Sequence, residues 1–257
     1  MNSGLSNQRK QVLLTFGDVL NNYTSKIHGT RALQKYKNWF PIKASPRLAG
    51  IVADLMGDGH LQGDPRWRID YTSKRVAELK RFNNEIKLMF GVKGKIRECT
   101  TNIYKTKNLG INNGPLTRVL NLLGTPTGNK VTQKFDIPIW IKNNPACFSR
   151  FINRLFSCEA CVDSKDRGIE IQMYKSIELI KDGVSFFEEI KYYLSKYYNI
   201  NTTKPFFENR VNIRKDGIIT RAIRLKIRNI QSFKNFQKFI GLEDKAKMNR
   251  LDKILGN

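Results

Sequence analysis

Two carboxylates in the 257-residue chain occupy places where chemistry could be done. Asp58 follows the apolar, small-residue run Leu48–Gly57 inside the turn Gly57-Asp58-Gly59, and Glu159 follows a second helical pattern, Pro145–Cys158. They lie 101 positions apart, while the Glu-Leu pairs Glu78-Leu79 and Glu178-Leu179 lie 100 apart, so the two acids recur at the offset of an internal repeat. Either acid alone reads as an ordinary helix-end residue; at the repeat offset they form a pair. Two carboxylates brought together repel unless cations stand between them, and hard oxygen ligands with retained water suit Mg²⁺. The thiols point elsewhere. Cys158-x-x-Cys161 has zinc-ligand spacing, but only Cys99, Cys147, His28 and His60 remain to complete such a site, so small buried side chains near a helix end are expected.

The rest of the composition indicates the partner. Lys and Arg number 46 against 22 Asp and Glu, a formal charge of +24, and an excess that large calls for a polyanion. No stretch approaches the roughly 20 apolar residues of a membrane span, and the leading MNSGLSNQRKQ lacks an apolar signal core. An intracellular protein, cytoplasmic or organellar, with reduced thiols and no membrane partner is expected. The basic residues are interspersed with Ile, Phe and Tyr, which places them on the faces of folded elements.

Those elements must position the acids. Residues 1–44 read as a lead-in, polar and then weakly helical around Val12–Val19. Ser45-Pro46 has the chemistry of a helix start. Arg66–Ser73 alternates like a half-exposed strand. A helix over Val76–Phe90 ends at Gly91, two strands fall within 94–111, and a helix over Leu116–Leu123 ends at Gly124. The order then recurs: a helix over Pro145–Cys158, a strand over Gly168–Tyr174, and a helix over Ile177–Tyr198 with a weak middle at Asp182-Gly183. A hairpin follows around Lys215-Asp216-Gly217, then helices over Ile230–Ile240 and Asp244–Leu255. Gly124 and Gly241 are 117 apart, as are Lys130 and Lys247, so the second copy holds about 16 more residues than the first. On the strands, Arg66 and Arg68 share a face, as do Arg210, Asn212 and Arg214. Arg224, Lys226 and Arg228 alternate with Ile223, Leu225 and Ile227, and Gln172 shares a face with Glu170. A ribbon with one oily face and one Arg/Lys/Asn face suits the major groove of double-stranded DNA. For Lys95, Arg97, Lys105 and Lys107 the alternation is ambiguous, so base contacts and phosphate contacts both stay open.

Ile51-Val52-Ala53-Asp54-Leu55-Met56-Gly57-Asp58-Gly59 is similar in length and ending to the nine-residue LAGLIDADG motif; the literal Leu48-Ala49-Gly50 just before it is out of register. Ile152-Asn153-Arg154-Leu155-Phe156-Ser157-Cys158-Glu159-Ala160 resembles the form LRGLFDTEG, and Leu122-Leu123-Gly124-x-Pro126-x-Gly128-x-Lys130 resembles archaeal and organellar intron-encoded members. Over residues 45–255 the chain resembles single-chain, two-repeat LAGLIDADG homing endonucleases. The resemblance implies an α+β fold of two pseudo-symmetric αββαββα repeats, 45–144 and 145–257, behind an N-terminal extension, 1–44, with antiparallel sheets forming a DNA-binding saddle. It implies a monomer that makes a staggered double-strand break by metal-dependent hydrolysis and promotes intron homing. Asp58 and Glu159 would hold the metal ions, and Lys130 and Lys247, with Lys245 as the alternative, would polarise water or steady charge.

Three residues depart from the pattern. Arg154 and Ala160 stand where glycine is usual, and Ser157 stands where aspartate is usual. Arg154 makes a close helix crossing harder, and Ala160 matters if its backbone requires a positive φ. They point to an alternative, a catalytically weakened relative acting as an intron RNA maturase or a DNA-binding regulator. A protein-splicing domain is disfavoured, because the nucleophile start and His-Asn end of a complete one are missing.

Overall fold

The computed structural model describes residues 11–99 and 105–256. It is an α+β fold with two four-stranded antiparallel sheets. A short lead-in comes first: β1 (Val12–Leu14), α1 (Phe16–Asn21), α2 (Lys26–Gln34) and β2 (Ile42–Lys43). Val12–Leu14, expected to be weakly helical, instead pairs with Ile42–Lys43. The alternative pairing partner lay about thirty residues away, beyond the reach of local propensity. The lead-in packs on the first copy: the Trp39 indole donates to the Phe90 carbonyl, and Arg118 is held between the rings of Tyr23 and Trp67, 4.0 Å from each.

The first copy runs α3 (Pro46–Met56), β3 (Gly59–Gln62), β4 (Arg68–Ser73), α4 (Val76–Phe90), β5 (Lys95–Glu98), β6 (Lys107–Ile111) and α5 (Gly114–Leu122), with sheet order β3-β4-β6-β5. After the short α6 (Ile139–Lys142), the second runs α7 (Pro145–Glu159), β7 (Ala160–Asp163), β8 (Gly168–Ser176), α8 (Ile180–Tyr198), β9 (Phe206–Ile213), β10 (Ile219–Ile227), α9 (Ile230–Phe239) and α10 (Lys245–Leu255), with sheet order β7-β8-β10-β9. The extra residues of the second copy lengthen α8 and the β9–β10 hairpin.

Local chemistry accounts for the acid-bearing helices. Ser45 caps α3 and Asn144 caps α7, each accepting from a backbone N–H three residues on, and each is followed by proline. On α4, Leu79, Phe82, Ile86 and Phe90 recur at helical spacing and bury against Ile69, Tyr71, Leu109 and Ile111 of its sheet. Phe186, Phe187, Ile190 and Leu194 of α8 do the same over Ile169, Ile171, Ile223 and Leu225. Burial of each such side chain contributes about 1.5–3 kcal/mol. Gly183, the expected weak point of α8, is helical: a Cβ there would come within 2.2 Å of Ile223 Cδ1, so glycine allows the helix to lie close on the sheet.

Candidate active site and nucleic-acid face

The two acids stand where α3 and α7 pack against each other and end. Gly50 of α3 faces Arg150 and Arg154 of α7, and a Cβ on Gly57 would lie 2.8 Å from the Cβ of Cys158. Gly50, though out of register with the nine-residue motif, lines the crossing all the same. Gly57 and Cys158 thus meet tightly, one residue before each acid. Gly57→Val should force the helix ends apart, at a cost of about 1–3 kcal/mol in chemical denaturation; an unchanged midpoint would mean the crossing yields.

Asp58 and Glu159 reach solvent but are crowded by protein. Burial pushes the Asp58 pKa above the usual carboxylate range, with the Cys158 thiol, Lys130 and Lys247 pulling against it. Burial likewise raises that of Glu159, and the Asp58 charge adds to the effect. Ala160 has φ −81° and opens β7, so the glycine usual at this position is not required here. The strands that directly follow the acids, β3 and β7, carry no legible alternation of their own; only pairing to β4 and β8 defines them.

Lys130 and Lys247 meet this site symmetrically. The Lys130 ammonium donates to the carbonyls of Met56 (2.8 Å) and Gly57 at the end of α3. The Lys247 ammonium donates to the carbonyl of Ser157 at 2.6 Å, at the end of α7. Each cation thus sits on the negative end of the helix dipole that carries an acid. Burial lowers both lysine pKa values; Glu159 and Asp58 oppose this at Lys130, and Asp244, Cys158 and Asp58 oppose it at Lys247. Lys130 opens a single 3₁₀ turn, Lys130–Thr132, and Lys247 lies in the first turn of α10. Lys247, rather than Lys245, is the lysine that reaches the helix end.

Arg154 does not swing away from the crossing. It is 1% exposed and bridges it: Nε to Asp54 Oδ1 (2.8 Å), Nη2 to Glu78 Oε2 (2.9 Å) and Nη1 to Glu243 Oε2 (2.6 Å). Arg81 joins the same Asp54 and Glu78, and Arg150 joins Glu243, giving three guanidiniums to three carboxylates. Burial opposes the Arg154 charge, but Asp54, Cys158 and Glu243 outweigh it and hold its pKa above the ordinary value. Asp54, Arg81 and Glu243 were not identifiable from the sequence, because their partners lie up to 100 residues away. Ser157 accepts the Glu243 backbone N–H at 3.0 Å and so ties the turn before α10 to α7.

Strand pairing sorts the remaining basic residues. Arg68, Lys95, Arg97, Gln172, Asn212, Arg224 and Lys226 lie on the sheet faces opposite the helices. Lys107 lies on the helix side and pairs with Glu98 at 2.7 Å, and Lys105 precedes β6. Arg66 sits in the β3–β4 turn rather than on the strand, Arg214 in the β9–β10 turn against Asp216, and Arg228 just beyond β10. Arg210 is exposed where β9 slips register against β10. Acids interrupt the basic face: Asp70 holds Arg68 at 2.6 Å, and Glu170 and Glu208 hold Arg224 at 2.9 and 2.6 Å. Among the described residues, neither Lys95 nor Arg97 pairs with a carboxylate. No helix of the described residues is long and apolar enough to cross a membrane.

The donor set suits a hard dication. Asp58 and Glu159, whose ionisation burial opposes, face solvent with no ion pair to another described residue, while the adjacent ammoniums are turned to backbone carbonyls. Among the described residues, no three His, Cys, Asp or Glu side chains gather as a metal cage, so carbonyl, water or phosphate oxygens would complete the coordination.

No family model matches the chain. Over 246 residues, 94% of its length, it is 27% identical to the glutamine–fructose-6-phosphate aminotransferase (isomerizing) of Methanocaldococcus jannaschii, covering 20% of that protein. Over 219 residues, 72% of its length, it is 26% identical to the replication factor C small subunit of the same organism, covering 11% of that protein. The chain thus spans a fifth or less of these relatives. Among solved structures, its fold is similar to the homing endonuclease I-WcaI bound to its DNA recognition sequence, with TM-score 0.54 and 11% identity over 84% of this chain and 91% of that one. Mesophilic variants of the homing endonuclease I-DmoI match with TM-score 0.51 and 15% identity over 80% and 97%. Full-length DUF199/WhiA from Thermotoga maritima matches with TM-score 0.51 and 15% identity over 82% and 60%. At such identities the likeness is one of fold.

Proposed function

We propose that the chain is a metal-dependent, site-specific DNA endonuclease of the LAGLIDADG homing type, acting as a monomer on double-stranded DNA. The observation that carries this reading is the paired arrangement at the ends of α3 and α7, an acid beside each helix end and a half-buried lysine on each helix terminus. Asp58 and Glu159 would hold Mg²⁺, which when bound supplies an activated water and stabilises charge on the leaving 3′-oxygen. The chain's own residues do the rest. Lys130 and Lys247 stand near the acids and favour their ionised form. The exposed cations Lys95 and Arg97 hold phosphates, while Arg224, fixed between two glutamates, presents a preset fork to a base edge. Support also comes from the comparisons: the fold is that of a protein captured on its DNA recognition sequence, and the matching stretch is a minor part of two relatives with unrelated names. Promotion of intron homing belongs to the same proposal.

The test is cleavage of a plasmid library carrying randomised inserts, with Mg²⁺ and with EDTA. Metal-dependent linear product from a subset of inserts supports the reading. A second reading, a DNA-binding regulator or an intron RNA maturase without cutting, is favoured by the glutamates on the second sheet face and by the DUF199/WhiA fold likeness. Tight DNA or RNA binding with no cut insert would establish it.

In either case duplex binding should weaken with salt, with a log–log slope of about −0.9 per phosphate neutralised. Lys95→Ala and Arg97→Ala should each flatten that slope by about one, measured by fluorescence anisotropy at several salt concentrations. Arg224→Ala should leave it nearly unchanged, because Glu170 and Glu208 already neutralise that guanidinium. Equal flattening by Arg224→Ala would contradict this division of labour.

A further inference from the structure

Arg75 and Lys175 are 100 residues apart, the same offset as the Glu-Leu pairs that mark the repeat. Arg75 lies between β4 and α4, and Lys175 is the penultimate residue of β8, the corresponding strand of the second copy. Their contacts cross over. Arg75, in the first copy, bonds Asp244 Oδ2 at 2.8 Å in the second. The other oxygen of that carboxylate accepts the N–H groups of Ala246 (2.9 Å) and Lys247 (3.2 Å), capping α10. Lys175, in the second copy, donates to the Lys130 carbonyl at 2.9 Å and the Gln133 carbonyl at 2.5 Å, in the segment that follows the first. It is 1% exposed and lies over the Phe135 ring, 3.9 Å from its centre.

We infer that Arg75 and Lys175 are reciprocal positioning residues, each reaching from one copy to fix the backbone that carries the site lysine of the other. The chemistry differs because the segments differ. Lys247 rides on a capped α-helix, so a guanidinium on the cap carboxylate orients it. Lys130 rides on one 3₁₀ turn with few bonds of its own, so an ammonium takes up its carbonyls directly. The brace cations also lie close enough to interact with the lysines: burial lowers the pKa of Lys247 and Arg75 adds to it, and burial, with Lys130 adding to it, lowers that of Lys175 to about 8. Neither Arg75 nor Lys175 has a place in the nine-residue motif. The crossed arrangement makes each helix end depend on both copies, so that neither half of the site is complete alone.

The inference is tested by amide hydrogen exchange on the full chain. Arg75→Met should speed exchange across 244–248 roughly tenfold and leave 129–134 within about twofold, and Lys175→Met should do the reverse. Met keeps the buried stem of Lys175 filled, so the fold is retained. Arg75→Lys, which keeps a cation on Asp244, should restore the slow exchange. Both segments moving together in either variant, or neither moving, would overturn the inference.

A strand-resolved readout rests on the nuclease reading. On an insert selected from the randomised library, each variant should slow the cut on one strand about 10- to 100-fold, on opposite strands for the two variants, so that nicked plasmid accumulates. A wild type that cuts no insert refutes the nuclease reading, and the exchange pattern still decides the braces. A wild type that cuts, with both strands slowed equally by each variant, refutes the braces alone.

Discussion

Asp58→Asn and Glu159→Gln should each abolish cutting of a selected insert while raising the melting temperature of the metal-free protein at neutral pH. The first effect follows from losing an oxygen ligand to a dication. Such an ion is worth several kcal/mol of transition-state charge stabilisation, and at about 1.4 kcal/mol per decade the rate should fall about 10³-fold or more. The second follows from the direction of the pKa shifts. Burial raises both carboxyls, and at Glu159 the Asp58 charge raises it further. A carboxyl whose folded-state pKa exceeds its unfolded value destabilises the fold once ionised. That penalty appears as pH rises from the unfolded pKa through the folded one, and is complete above it. The neutral amides avoid it, so both variants should melt above the wild type at pH 7, with the gap closing on acidification. Cleavage within threefold of wild type in either variant would remove that acid from the site. Melting temperatures at or below wild type at pH 7 would show that the acids are not strained against each other.

Removing the buried guanidinium should have the largest effect on stability. Arg154→Ala leaves Asp54, 1% exposed, with Arg81 alone, and takes a donor from Glu78 and Glu243. Breaking one partner of a buried ionic network typically costs about 3–5 kcal/mol, measurable by urea or guanidinium denaturation. The double variant Asp54→Leu/Arg154→Met replaces the central pair by apolar groups and should recover most of that loss, because the uncompensated charge is removed with its partner. Arg154→Ala within about 0.5 kcal/mol of wild type would mean that water already compensates the pair. The contrast separates two roles. If the double variant is stable yet cuts slowly, the network also sets the register in which the helix ends meet; if it cuts normally, the network serves stability alone.

Much of this was legible in sequence. Caps, turn glycines and apolar periodicity are local signals, and they placed α3, α4, α5, α7, α8, α9 and α10 near their observed bounds. The repeat offset marked Asp58 and Glu159 as a pair, and a second offset marked Lys130 and Lys247, because duplication preserves spacing after identity has faded. The strands β1, β3 and β7 were not legible: each is short and is defined by a partner that local pattern does not name. The same limit hid the ion network. Arg154 in a small-residue position reads as an obstacle until Asp54, Glu78 and Glu243 are brought around it. Arg75 and Lys175 are two unremarkable cations among 46 until the copies are set face to face. Residue type and spacing determined which groups could act, since those properties travel along the chain. Which charges are neutralised, which lysine reaches a helix end and which copy supports which half of the site were decided only by tertiary structure, because electrostatic energy depends on distance through space and on burial.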